Sequence, residues 1–127
     1  MRRLSRIALA ALGVFAWGCE RSSSAPVDKP AAAQQVVQRF FAALPEGNCA
    51  QLRDMLVLER PDRGCREVVA ELNQHQMRLG EVLGAEVDGR DENAVIVRTR
   101  MLEGGKPKQA PVLLRVERHA GTWKIRL

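Results

Sequence analysis

Tyrosine is absent from this sequence, and aromatic residues of all kinds make up only 4% of it. That removes the phenolic acids used by many proton-transfer sites and leaves few rings on which a base could stack. Histidine occurs twice, at His75 and His119, and cysteine three times, with no CxxC pair. The histidines stand far from the cysteines in sequence, so the usual zinc-site spacings are missing and no metal or other cofactor is expected. Three consecutive serines, Ser22 to Ser24, lie in a polar low-complexity stretch and make no credible nucleophile. No apolar run reaches the ~20 residues that a bilayer-spanning helix needs.

Basic residues, by contrast, are in excess. The formal net charge is +5 and the isoelectric point about 9.7, which raises the question of nucleic acid. Three of the twenty Lys and Arg residues, however, are Arg2, Arg3 and Arg6. Without them, 17 basic residues face 15 acidic ones, and a surplus of two gives no strong phosphate-binding field. No nucleic-acid partner is expected.

Those three arginines open a segment with its own logic. Ile7 to Trp17 follows as an apolar, uncharged run, and Gly18-Cys19 ends it. A basic start, a short apolar stretch and a small residue form the layout of a secretory signal peptide, assigned here to residues 1–18. Ala16-Trp17-Gly18-Cys19 resembles the lipobox of bacterial lipoproteins. The resemblance implies that Cys19 becomes the first mature residue and carries the lipids, palmitate among them. It also implies a chain held at the cell envelope, facing the periplasm, with Glu20 compatible with the outer membrane. Ala16 and Gly18 equally satisfy the small-x-small rule of an ordinary signal peptidase, which would release a soluble protein. Residues 19–30, rich in Ser, Pro and Ala, read as a disordered tether between anchor and domain.

Cysteine arithmetic fits an exported chain. Assigning Cys19 to the anchor leaves Cys49 and Cys65, an even pair in an oxidising compartment, and a disulfide between them is expected. The alternative is two buried free cysteines.

The folded domain is expected over residues 31–127. Val36, Val37, Phe40, Phe41 and Leu44 recur at helical spacing opposite Gln34, Gln35, Gln38 and Arg39, and Pro45 and Gly47 end that helix. Asn48 caps a short second helix carrying Leu52, Met55 and Leu56 inward. A third helix is predicted from Cys65 to Leu79, capped by Gly80. After Gly80 the apolar period changes to two. Four strands follow, with Leu83, Ala85 and Val87 on one face of the first and Ala94 to Leu102 as the second. Gly104-Gly105 turns into a third strand, Pro111 to His119, and Thr122 to Leu127 closes the chain. The fold class is α+β: three N-terminal helices packed on a curved four-stranded antiparallel sheet. This order, the pattern Val36 to Leu44 and the closing Gly121-Thr122-Trp123-Lys124-Ile125 resemble the cystatin-like cone superfamily. That group includes nuclear transport factor 2, ketosteroid isomerases and polyketide cyclases.

The resemblance implies a cavity between sheet and helices, where the family's enzymes place tyrosines and acids. This chain has no tyrosine to match, and Asp88, Asp91 and Glu92 fall on turns where water should solvate them. His75 is the candidate polar group for such a cavity, since its free pKa lies near neutrality. Alternation places Arg98, Arg100, Arg115, Lys124 and Arg126 together on the outer sheet face, a candidate docking patch for an anionic or protein partner. Five like charges would repel a second copy, so a monomer is expected. The function expected is a non-enzymatic envelope lipoprotein, a binding or assembly module held to the membrane by lipid. A small-ligand binder or isomerase-like enzyme using the cavity is the alternative.

Overall fold

The computed structural model describes residues 27–58 and 64–127. The expected signal peptide and the lipidation site Cys19 lie outside them. The first helix, α1 (Lys29–Ala43), begins where the Asp28 carboxylate accepts the Ala31 N–H at 3.1 Å. Pro30 sits in its first turn, where an amide hydrogen would have no helical partner. Its stripe of Ala33, Val36, Val37, Phe40 and Phe41 is buried. A tight turn at Leu44–Glu46 stops it. The single-turn helix α2 (Cys49–Leu52) follows, with the Asn48 side chain accepting from Ala50 N at 3.0 Å. After β1 (Leu56–Val57) comes α3 (Cys65–Gln74), and then β2 (Met77–Asp88), β3 (Asp91–Glu103), β4 (Lys106–Pro107), β5 (Val112–His119) and β6 (Thr122–Arg126). Cys49 and Cys65 form a disulfide, with Cα atoms 5.9 Å apart, which joins the beginnings of α2 and α3.

The expectation of three helices on a four-stranded antiparallel sheet is corrected here. The sheet has six strands and is mixed, in the order β1-β6-β5-β3-β2, with β4 added to β3. The chain does not stay helical through Leu56: it turns extended there and lies parallel to β6, Leu56 opposite Ile125. Pairing gives the open edge of β6 hydrogen-bond partners and buries Leu56 to 4% exposure. Neither gain can be read from a helical-looking local pattern. The predicted third helix also stops five residues early. Gln76 adopts a φ of +50°, and Met77 begins a ladder with Glu103. Gly80 is therefore no cap: it lies inside β2, where a Cβ would stand 2.9 Å from the Arg100 carbonyl oxygen.

A further correction concerns which side chains of β2 face inward. Bulges between Leu79 and Glu81 and between Val82 and Gly84 shift the register. They bring Val82 opposite Thr99 and Ala85 opposite Val97, and leave Leu83 36% exposed; Val87, opposite Val95 near the end of the strand, is 40% exposed. The other strands follow their alternation. Val95, Val97, Met101, Val116 and Ile125 face α1 and, with Val36, Val37, Phe40 and Leu44, are at most 1% exposed. Each such side chain contributes about 1.5–3 kcal/mol through burial. Gly104-Gly105, with φ of +58° and +81°, make the two-residue turn between β3 and β4.

Candidate functional site

The space between α1 and the sheet is filled by side chains, Phe40, Leu44, Val97 and Met101 at its centre. Its buried polar member is Thr99, whose hydroxyl donates to the Val112 carbonyl at 2.8 Å. Among the described residues no buried side-chain N or O atom lacks a hydrogen-bond partner. His75 does not enter this space. It caps the C-terminal end of α3, its side chain 57% exposed and Nδ1 3.4 Å from Glu103 Oε1. The cavity role foreseen for it is thus corrected: the turn at His75-Gln76 carries the side chain away from the core.

The chemistry of the domain is concentrated on the opposite, outer face of the sheet. Register places Arg115 beside Arg126, Glu117 beside Lys124, and Arg98 beside Leu113. All five predicted basic residues therefore share this face, but they do not form an open cationic patch. Arg115 is clasped from three sides: Nη1 donates to Asp88 Oδ2 at 2.5 Å, Nη2 to Asp91 Oδ2 at 3.1 Å, and Nε to Glu117 Oε2 at 2.7 Å. Arg126 donates to both oxygens of Glu117, Nε to Oε2 at 2.8 Å and Nη2 to Oε1 at 2.6 Å. His119 Nε2 lies 2.9 Å from Glu117 Oε1. Asp88 and Asp91, expected to be solvated on a turn, are instead structural partners. Pairing of β3 with β5 brings Arg115 within reach of both residues flanking the β2–β3 turn, a proximity that no local pattern announces.

The electrostatics follow from this geometry. The Arg126 guanidinium first, then Arg115 and His119, hold the Glu117 carboxyl down at about 2 against the opposing cost of its burial. Asp88 is lowered first by the Arg90 amide and then by Arg115. Arg115 is raised, chiefly by Glu117. A carboxylate that stays ionised far below neutrality, with its oxygens occupied, is poorly matched to general acid–base work at pH 7. The cluster links side chains of β2, β3, β5 and β6 across the outer face.

The rest of the face is different. Arg100 Nε stands 3.5 Å from Glu81 Oε1 with both side chains more than half exposed, a weak pair at most. Arg98 and Lys124 have no carboxylate within ion-pair distance among the described residues. Beside Arg98 runs a groove of about 430 Å³ walled by Leu83, Glu86, Val87, Ile96 and Leu113, among others. Leu113 is 64% exposed. Its place in the run Val112-Leu113-Leu114, like that of Ile96 in Val95-Ile96-Val97, is a sequence signal for an apolar side chain on the outer face, since consecutive strand residues point oppositely. Chemically, this part of the face can dock a partner with apolar and charged groups.

Among the described residues no three His, Cys, Asp or Glu side chains are placed to hold a metal ion, and no helix is long and apolar enough to cross a membrane. No protein-family model matches the chain, and neither does any curated protein.

Proposed function

We propose that the chain is a bacterial envelope lipoprotein, anchored through lipid on Cys19, whose domain is a non-enzymatic binding or assembly module facing the periplasm. The observation that carries this reading is the Cys49–Cys65 disulfide. It accounts for two of three cysteines and belongs to an oxidising compartment. The third cysteine stands in a lipobox-like sequence behind a basic, apolar leader. From Cys19 to Asp28, where α1 is capped, nine residues reach at most ~30 Å. The domain thus works close to the membrane, on the outer leaf of the periplasmic space or its inner counterpart, with the outer membrane favoured by Glu20. A packed apolar interior and a surface cluster of locked ion pairs support a docking role over turnover.

The test is the mass and location of the exported full chain in a Gram-negative host. A mature protein beginning at Cys19, heavier by a diacylglyceryl group and an acyl chain and found with membranes, is expected. Cys19→Ser should abolish the added mass. A soluble periplasmic protein without lipid would overturn the anchor.

A further inference from the structure

Charge on the outer face is divided between strands. Arg98, Arg100, Arg115, Lys124 and Arg126 stand on β3, β5 and β6, while Glu81 and Glu86 stand on β2, at the edge of the sheet. Asp88, Asp91 and Glu117 take up the charges of Arg115 and Arg126. The other three cations of the face are left to the solvent. Arg98 and Lys124 have no carboxylate within ion-pair distance among the described residues, and Arg100 has only the exposed Glu81 at 3.5 Å. Among these cations Leu113 projects from β5, 64% exposed. Arg98 is directly opposite it, Arg100 lies two residues further along β3, and Lys124 is on β6, on the other side of β5.

An exposed apolar side chain among cations suits a layer of anionic lipid headgroups. The apolar group enters the acyl boundary, and the cations pair with phosphates. An acidic glycan would satisfy the cations and leave Leu113 in water. The anchor brings such a layer to this face. Lys29 Nζ donates to the Glu92 carbonyl at 2.8 Å, so α1 begins beside the β2–β3 turn, at one end of the same sheet. The tether from Cys19 to Asp28 reaches at most ~30 Å. From Asp91 to Arg98, β3 covers about 23 Å. The tether is therefore long enough for the face to lie on the membrane, and short enough to keep it within reach. We propose that the domain lies with its outer sheet face on the membrane that carries its anchor. Leu113 sits in the headgroup layer, and Arg98, Arg100 and Lys124 meet the phosphates of anionic lipids. The proposal rests on the lipid-anchor reading and deepens it: acyl chains hold the protein to the bilayer, and the face orients it. Glu86, unpaired among the described residues beside Arg98 in the groove, opposes the contact, so removing its charge strengthens it.

The test uses the mature lipidated chain carrying Leu113→Cys, whose new thiol is free while Cys49 and Cys65 are joined. It is placed in nanodiscs of phosphatidylcholine, alone or with roughly one-third phosphatidylglycerol. A membrane-impermeant maleimide should label it roughly tenfold more slowly in the anionic discs, while Gln38→Cys, on the exposed side of α1, reacts equally in both. Adding Arg98→Gln, Arg100→Gln and Lys124→Gln together should remove the protection, as should about 0.5 M salt. Adding Glu86→Gln alone should deepen it roughly threefold. Equal labelling of the Leu113→Cys chain in both discs overturns the membrane contact and leaves the anchor standing. Protection that survives loss of the three cations also overturns it. Protection in the cell's own membranes but not in anionic discs assigns the face to a protein or glycan and overturns the lipid. A mature chain whose mass shows no lipid overturns the anchor reading and this orientation with it.

Discussion

Glu117 is where a single substitution tests the electrostatics of the sheet most sharply. Its carboxyl titrates at about 2 in the fold against an ordinary 4.5, so the unfolded chain takes up the proton first as pH falls. Its stabilisation is therefore complete above pH 4.5 and is lost as pH falls toward 2. At about 1.4 kcal/mol per pKa unit, the gap corresponds to about 3 kcal/mol. Arg115 and Arg126 are 32% and 30% exposed, and screening by water brings the figure to about 1–2 kcal/mol. Glu117→Gln preserves shape and removes the charge. It should lower stability at pH 7 by ~1–2 kcal/mol, or roughly 5–15 °C in Tm for a domain of this size. Urea unfolding followed by fluorescence of Trp123, the one tryptophan among the described residues, measures this at a series of pH values. Wild type and variant should converge as pH drops from 4.5 toward 2. A difference that is the same at pH 7 and pH 2.5, or is absent at pH 7, would refute the assignment of Glu117 as the keystone of the cluster.

Other perturbations have equally definite outcomes. Replacing Cys49 and Cys65 together with Ala removes a cross-link of 16-residue separation and should cost about 3 kcal/mol, read as a lower urea midpoint that reducing agent no longer shifts. Gly80→Ala forces a Cβ against the Arg100 carbonyl at 2.9 Å and should destabilise by roughly 1–2 kcal/mol. Gly84→Ala meets nothing within 4 Å and should be neutral or stabilising by ~0.5 kcal/mol; thermal melts of the two side by side decide. Phe40→Ala, at a fully buried position, should cost about 3–5 kcal/mol in the same assay.

Much about this protein was legible in the order of its residues, because some signals are local. The first helix reads from the spacing of Val36, Val37, Phe40 and Phe41, and the turns from Asn48 and Gly104-Gly105. The inward faces of β3, β5 and β6 read from simple alternation, since pleating sends neighbours to opposite sides. The pairing of Cys49 with Cys65 followed from counting cysteines. Tertiary structure decided the rest. Leu56 and Val57 became a strand because β6 offered an edge, and Met77 to Gly80 left the helix because β3 offered a ladder. Bulges in β2, set by pairing, turned Leu83 outward. Above all, Arg115 lost its freedom to Asp88 and Asp91, 27 and 24 residues away in sequence. A charge on a sheet face reads as a docking group until the fold brings its counter-ions. Coulomb attraction acts through space, and the sequence orders residues only along the chain.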